Sequence, residues 1–214
     1  YDENATIDDG SCSGYPDNGD YSLSFDGEDD YVDCGTTLNT NYIDNANMFT
    51  VEAWINMNDV SSERQIISNS QDYVENGFEL RVDNGEVYLT YRDNNNIQYF
   101  GTGSSINTNI WYHIAGVIDE SNLTTYVNGI AAETIVVGGN GIKPAIHSLK
   151  IGANEDGNRL NGQIDEVAVW DDALTDAEIT ALYNFHTPLD ASSNSGNYES
   201  SSNLQGYWKF NASE

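Results

Sequence analysis

Between Tyr21 and Phe210 the chain repeats one pattern, in which a short run of alternating apolar and polar residues is followed by Asn, Asp or Gly. Alternation with a period of two is typical of strands with one buried face, and the intervening residues favour turns. Such runs predict strands at 21–25, 49–57, 64–68, 77–82, 86–92, 110–118, 124–129, 133–137, 148–152, 162–170 and 204–210. Many short strands joined by turns indicate an all-β sandwich or barrel.

One hairpin can be placed residue by residue, because Asn84-Gly85 is a preferred two-residue type I′ turn. The register that follows from this turn puts one apolar face into the core, pairing Val82 with Val87, Leu80 with Leu89, and Phe78 with Tyr91. The opposite, polar face places Arg81 beside Tyr88. This pair either contacts a sugar or is an ordinary cross-strand pair on solvent, and the second arrangement is the more common.

A single helix is predicted over residues 176–184, because Thr175 followed by Glu178 forms a capping box. Residues 1–18 are predicted to be an acidic tail or linker, and residues 19–214 the sandwich domain. The polar opening YDENATIDDGSC does not resemble a signal peptide, and it suggests a piece of a larger multidomain protein.

The charge balance excludes some partners. The chain has 35 Asp and Glu against 7 Lys and Arg, a net charge of −28. Nucleic acids and anionic membrane surfaces both require a positive interface, so neither is expected as a partner. No apolar stretch approaches the roughly 20 residues that span a bilayer, so membrane insertion is not expected either. The acidic residues serve either solubility in a salty medium or the binding of Ca²⁺, which is coordinated by oxygen ligands.

Five segments in order carry a resemblance to a known family: YSLSFDGEDDYVDCG, FTVEAWIN, WYHIAGVID, LKIGANEDGNRLNGQIDEVAVWDDALTDAEITALYN and LQGYWKFN. Together they resemble a laminin-G-like domain of the concanavalin A-like lectin and glucanase superfamily, as found in secreted bacterial proteins and in pentraxins. The resemblance implies a jelly-roll sandwich of two antiparallel sheets. It also implies an extracellular, secreted or cell-surface location and a role in binding carbohydrate or protein, often with calcium.

Catalysis is not expected. Hydrolases on this fold carry carboxylates as Glu-x-Asp-x-Glu on one strand, sometimes with one extra residue, and a retaining glycosidase needs two of them about 5 Å apart. The corresponding positions here include Gln163, Val167 and Ala168. Strict alternation would also place Asp165 and Glu166 on opposite faces, where they cannot flank one bond.

Two calcium sites are suggested by the resemblance. In this family the Phe-Asp-Gly turn lies near the last-but-one strand, so Asp26 and Asp165 are expected to hold one structural Ca²⁺ with carbonyls from Gly27 to Asp30. This expectation places Asp165 on the core side of its strand, where a buried charge needs a partner. The alternative is that Asp26 only accepts hydrogen bonds within its turn.

The second calcium site is expected in the loop IGANEDG, by analogy with pentraxins. By this analogy the candidate Ca²⁺ ligands are Asn154, Glu155 and Asp156. The ligand site is completed by candidates from a facing loop and one strand: Asn69, Asp72, Tyr73 and Tyr99. A plain solvated loop is the alternative.

These observations favour a non-catalytic, extracellular module that binds a polysaccharide or a cell-surface glycan in a calcium-dependent way. The rival hypothesis is a calcium-stabilised structural or adhesive spacer without a small ligand. Cys12 and Cys34 are candidates for one disulfide bridge, which an extracellular location would permit. Two inert thiols are the alternative.

Overall fold

The structure is a computed structural model, and it describes residues 21–71 and 75–210. Within these residues it contains thirteen strands and one α-helix. The strands are β1 (Leu23–Asp26), β2 (Val32–Asp33), β3 (Met48–Met57), β4 (Arg64–Ser68), β5 (Phe78–Asp83), β6 (Glu86–Arg92), β7 (Gln98–Ser105), β8 (Trp111–Asp119), β9 (Asn122–Val127), β10 (Ile130–Val136), β11 (Lys150–Ile151), β12 (Asn161–Trp170) and β13 (Leu204–Trp208).

The strands form two antiparallel sheets, which confirms the predicted sandwich. The seven-stranded sheet has the order β1-β12-β3-β8-β9-β10, and β13 also pairs with β12. The six-stranded sheet has the order β2-β11-β4-β5-β6-β7. Because β1 and β13 both pair with β12, the first and last strands of the domain are fastened to the same central element.

The core lies between the two sheets, and the predicted hairpin supplies part of it. The observed register pairs Val82 with Val87, Leu80 with Leu89, and Phe78 with Tyr91, as the turn at Asn84-Gly85 predicts. All six side chains are buried. Burial of large apolar side chains contributes about 1.5–3 kcal/mol each, so the register of this hairpin is strongly specified.

A second, smaller core covers the outer face of the seven-stranded sheet. Helix α1 (Asp176–Tyr183) packs there, and its predicted capping box between Thr175 and Glu178 is present. Trp170 lies fully buried in this layer and donates from Nε1 to the Tyr198 hydroxyl at 2.9 Å. No helix among the described residues is long and apolar enough to cross a membrane.

Strand β10 forms an edge of the seven-stranded sheet and is largely exposed. Ile130 and Val136 are 72% and 81% exposed. The outward charge on this strand is Glu133, whose carboxylate accepts a hydrogen bond from the backbone N–H of Thr102. The edge therefore combines unpaired backbone groups with apolar side chains.

Cys34 is half-buried, and burial, with a further contribution from Asp33, raises the pKa of its thiol to about 12. A thiol with such a pKa carries little nucleophilic thiolate at neutral pH. Cys12 lies outside the described residues, so the bridge between Cys12 and Cys34 stays a prediction. The tail over residues 1–18 also lies outside them.

Strand β7 was missed by sequence analysis because its glycines resemble turn signals. Gly101 faces Leu123 of the second sheet at close range, and Gly103 faces Val87 on the adjacent strand β6. A Cβ on Gly101 would lie 1.8 Å from Cδ2 of Leu123, and one on Gly103 would lie 2.9 Å from Cβ of Val87. The glycines therefore let side chains of neighbouring strands pack against the β7 backbone.

We expect Gly101→Ala to destabilise the protein by about 1–3 kcal/mol, because Leu123 is fully buried and has no space to yield. The measurement is urea unfolding of Gly101→Ala, Leu123→Ala and the double variant. In the Leu123→Ala background the added methyl should cost less, since the clashing atoms are gone. Strictly additive effects would contradict this packing explanation.

Candidate functional site

The outward-facing side of β4, β5 and β6 carries an unusual set of buried polar side chains. We define the polar face as Gln65, Ser68, Glu79, Arg81, Tyr88 and Thr90. Cross-strand pairing of Gln65 with Arg81, Ser68 with Glu79, and Arg81 with Tyr88 places these side chains together. Gln65 and Thr90 are fully buried and Glu79 is 2% exposed. An outward sheet face is normally solvated, so this degree of burial is informative.

Arg81 is the centre of the polar face. Its Nη1 lies 2.8 Å from Oε2 of Glu63, which comes from the loop before β4. Its Nε lies 3.6 Å from Oε2 of Glu79. The guanidinium also lies over the Tyr88 ring, 5.0 Å from the centroid. The Arg81–Tyr88 pair was predicted, and the structure shows that it belongs to a partly buried ionic network.

Two loops fold against the polar face and are joined through Glu63. Oε1 of Glu63 accepts hydrogen bonds from Gln65 at 3.0 Å and from Asn158 at 2.8 Å. Asn158 belongs to the loop that follows β11. In the same loop Oδ1 of Asn154 accepts from the backbone N–H of Asn158 at 3.1 Å. The loop IGANEDG, predicted from the sequence to be part of the site, therefore lies against the polar face, and its contacts there are made by amide side chains.

Glu79 has a strongly perturbed acidity. Burial raises its pKa from 4.5 to about 7, and the negative charge of Glu63 adds to this effect. The charge of Arg81 and hydrogen bonds from Gln65 and Asn154 act in the opposite direction. Glu79 is thus close to half-protonated near neutral pH.

Several polar atoms of the face lack a hydrogen-bond partner among the described residues. They are Oε1 of Gln65, Oε1 of Glu79, Nε of Arg81 and Oγ1 of Thr90, all buried. A buried polar group without a partner costs about 1–3 kcal/mol. Because such groups are few in native proteins, a cluster of four of them on one face calls for an explanation.

Exposed aromatic rings flank the polar face. Phe100 pairs with Thr90 on the neighbouring strand and is 48% exposed. Tyr31, in the turn between β1 and β2, is 40% exposed. Neither residue was predicted from the sequence, although the alternation in β6 and β7 is a signal that could have identified Phe100.

Of the candidate ligand residues in the facing loop, only Asn69 lies among the described residues. Asn69 is buried, and its amide bonds the backbone N–H of Phe78 at 2.8 Å and Oδ1 of Asn39 at 2.9 Å. Its side chain therefore supports the loop and is not available to a ligand. The other two, Asp72 and Tyr73, lie outside the described residues.

Tyr99 faces the core side of β7. Its ring stacks on Tyr91 with centroids 5.1 Å apart, and its hydroxyl accepts from the backbone N–H of Gly138 at 3.0 Å. The expectation that Tyr99 stacks on a sugar is therefore wrong, because alternation turns it away from the outer face that Phe100 occupies.

The second calcium set is split in the structure. Asn154 is buried at the polar face, whereas Glu155 and Asp156 are exposed. The Glu155 carboxylate bonds Nζ of Lys150, and this hydrogen bond lowers its pKa. Binding of one Ca²⁺ ion by all three residues stays a prediction.

The turn after β1 does gather carboxylates. Oxygens of Asp26, Asp29 and Asp30 lie within 4.8 Å of one another. The backbone N–H of Asp26 donates to Oδ2 of Asp30 at 3.0 Å, and that of Glu28 donates to Oδ1 of Asp26 at 2.7 Å. We name this group the aspartate turn. Asp29 was missed by sequence analysis, although the run DGEDD signals it.

Gly27 shapes the aspartate turn. Its φ of +84° is the left-handed conformation that glycine tolerates, and a Cβ there would lie 2.9 Å from Cβ of Asn161 on β12. Both observations favour glycine at this position, because a residue with a side chain would strain the backbone and hold the turn away from β12.

Asp165 does not belong to the aspartate turn. Asp26 pairs with Asn161, and Asp165 lies four residues further along β12. At about 3.3 Å per residue this separates them by roughly 13 Å. Ca²⁺ ligands lie about 2.3–2.6 Å from the ion. The expectation that Asp26 and Asp165 share one ion is therefore wrong.

A β-bulge in β12 changes which way its acids point. The pairing with β3 shifts register between Asp165 and Ala168, and Glu166 has a φ of +48°. Ile164 and Val167 both pack in the core between the sheets, with the two acids between them. One residue has thus been inserted into the alternation.

As a result both acids lie on the outer face of the seven-stranded sheet. Asp165 pairs with Trp54, whose ring stacks on Tyr183 of α1, and Glu166 accepts a hydrogen bond from the Tyr207 hydroxyl. Burial and this carboxylate raise the pKa of Tyr207 above its usual range. The predictions that Asp165 faces the core and that the two acids point to opposite faces are wrong.

His113 is buried beside Glu52, with Nε2 2.8 Å from the carboxylate. A separate cavity of about 360 Å³ lies near the start of β3. Its lining includes Tyr42, Met48 and Glu120 and no residue of the polar face.

The fold can now be compared with known proteins. A family model described as the concanavalin A-like lectin/glucanases superfamily matches residues 26–180. The CBM40 domain of a Ruminococcus gnavus IT-sialidase, bound to α2,3-sialyllactose, has 16% identity and a TM-score of 0.64, with 76% of this chain and 96% of that chain covered. No curated protein matches the chain significantly.

Two further solved structures share the fold. A heptameric SAP-like pentraxin from Limulus polyphemus has 19% identity and a TM-score of 0.56, covering 76% of this chain and 81% of that one. The binding domain of botulinum neurotoxin serotype D has 18% identity and a TM-score of 0.60 over 77% of this chain. The match spans only 42% of that neurotoxin structure.

The buried Glu79 generates a pH prediction. Its folded-state pKa lies above the unfolded value of 4.5, so its contribution to stability is complete below pH 4.5 and is lost as the pH rises through about 7. Relative to Glu79→Gln, the wild type should lose up to about 3 kcal/mol between pH 4.5 and 8. Urea unfolding across this range is the measurement, with Glu199→Gln as the exposed control. Parallel pH profiles for wild type and Glu79→Gln would contradict it.

Proposed function

Because the chain belongs to the laminin-G-like family of the concanavalin A-like superfamily, we propose that it is a non-catalytic carbohydrate-binding module whose ligand lies on the polar face. One observation carries this proposal. Donor and acceptor atoms of Gln65, Glu79, Arg81 and Thr90 are held close together, buried and without hydrogen-bond partners among the described residues. Sugar hydroxyls both donate and accept hydrogen bonds, so a saccharide would complement such a set.

The flanking rings fit the same ligand. Phe100 and Tyr31 are exposed beside polar side chains, and aromatic rings pack against the apolar face of a sugar ring while neighbouring groups bond its hydroxyls. The sialyllactose-bound CBM40 domain supports the proposal at the level of fold. We assign the module to an extracellular setting, where it would target an attached enzyme or hold a cell to a glycan surface.

We propose that the aspartate turn binds Ca²⁺. Two ligands on opposite sides of a Ca²⁺ ion lie about 4.8 Å apart, since each Ca–O distance is about 2.4 Å. The separations among Asp26, Asp29 and Asp30 fit within this limit. The ion would offset the repulsion among three neighbouring carboxylates and fasten the turn after β1 to the sheet. The set Asn154, Glu155 and Asp156 stays a separate prediction and is not part of this proposal.

The aspartate turn also favours a second candidate function, a calcium-stabilised spacer without a small ligand. Both candidates share the ion, and only the first requires the polar face. Incubation with algal and host polysaccharides, with detection of new reducing ends or unsaturated products, tests the third alternative of catalysis.

A glycan array separates the first two candidates. We expect wild-type protein to bind a subset of glycans, and Arg81→Ala and Phe100→Ala to lose at least tenfold in affinity because a buried donor and a stacking ring are removed. Glu199→Gln, which alters an exposed acid elsewhere, should bind like wild type. Absence of any glycan binding by folded protein would favour the spacer.

The calcium proposal is tested by thermal unfolding with Ca²⁺ and with chelator. Saturating Ca²⁺ at about 100 times Kd stabilises by about 2.7 kcal/mol, which corresponds to a rise in Tm of roughly 5–10 °C for a chain of this size. Asp26→Asn should abolish the rise, whereas Asp165→Asn should retain it. A loss of the response in Asp165→Asn alone would overturn the assignment to the aspartate turn.

A further inference from the structure

Arg159 is a basic residue that forms no ion pair among the described residues, although the chain has few cations and many acids. The ion pairs among the described residues use Arg64, Arg81, Lys150 and Lys209. No carboxylate in the described part of the chain pairs with Arg159. Its Nη1 is also buried and without a hydrogen-bond partner there. In a protein with 35 acidic and 7 basic residues, a guanidinium left without an acid is unexpected.

Arg159 is held in place by its surroundings. Its guanidinium lies over the Tyr31 ring, 4.8 Å from the centroid, and its backbone carbonyl accepts from Nη1 of Arg64 at 3.2 Å. Lys150 approaches the same ring at 5.2 Å, but its charge is already matched by Glu155. A planar guanidinium resting on an aromatic ring keeps its remaining donors aligned for a planar acceptor.

This position adjoins the polar face. Arg159 follows Asn158, which bonds Glu63 of the network around Arg81. Lys150 pairs with Ser68, a residue of the polar face. A saccharide lying on the polar face would therefore reach Arg159 with a substituent at one end.

We infer that Arg159, supported by Tyr31, forms a subsite for the carboxylate of an acidic saccharide bound on the polar face. The inference rests on the proposed function and specifies its ligand class. A sugar carboxylate presents two coplanar oxygens, which match the fork of a guanidinium in a bidentate, charge-assisted pair. Such a pair would supply an acid that Arg159 lacks among the described residues.

The test compares ligands that differ only in the carboxylate. Oligogalacturonate and its methyl ester form one pair, and sialyllactose and its methyl ester form another. Affinities are measured by calorimetry at about 0.15 M salt, where the Debye length of about 8 Å screens the net charge of −28 but not a direct contact. We expect at least one acidic member to bind about 10- to 100-fold more tightly than its neutral counterpart, as charge-assisted hydrogen bonds contribute about 1.5–3 kcal/mol.

Variants test whether Arg159 causes the preference for the acidic ligand. Arg159→Gln should remove the preference for the acidic member while retaining the affinity for the neutral one, and Arg159→Lys should retain only part of it because the fork is lost. Lys209→Gln, which removes a cation elsewhere, should behave like wild type. Thermal unfolding of each variant establishes that it is folded.

The outcomes distinguish the two levels of the proposal. If neutral glycans bind and Arg81→Ala abolishes this binding, but acidic members bind no better in any pair, the subsite is wrong and the proposed function stands. The subsite is also wrong if the acidic preference survives in Arg159→Gln. If no glycan of either class binds, the proposed function fails and the subsite fails with it.

Discussion

Strict alternation of side chains across two packed sheets is the constraint on which this structure depends. A strand with one face sealed in the core cannot slip by one residue without exposing its apolar side chains and burying its polar ones. The hairpin of β5 and β6 shows the rule, since Leu80 and Leu89 enter the core and Arg81 and Tyr88 leave it. The position of every residue on the polar face follows from the burial of its neighbours on the other side.

The same rule explains what could be predicted from the sequence. The sandwich, the hairpin register and the capping box depend on nearby residues and were predicted correctly. The aspartate turn was partly predictable for the same reason, because Asp26 and Asp30 belong to one turn. Strand β7 was missed because its glycines serve close packing against Leu123, a residue that only the fold brings near.

The position of Asp165 could not be predicted because it depends on the pairing register of β1 with β12 and on the bulge at Glu166. Burial of the polar face could not be predicted either. It arises when Glu63 and Asn158, which are distant in sequence, meet over Gln65. Desolvation of the Glu79 carboxylate raises its pKa by more than the positive charge of Arg81 lowers it, so the pKa rises despite the cationic neighbour. Alternation gives the direction of a side chain, but long-range contacts decide its environment.

The open edge at β10 ties the solution behaviour of the protein to ionic strength. Its exposed Ile130 and Val136 and its unpaired backbone would accept a strand from a second copy. The net charge of −28 opposes such an encounter by mutual repulsion. That repulsion shrinks as the Debye length falls to about 3 Å in 1 M salt. The repulsion between two such edges is therefore weaker in concentrated salt than in dilute buffer.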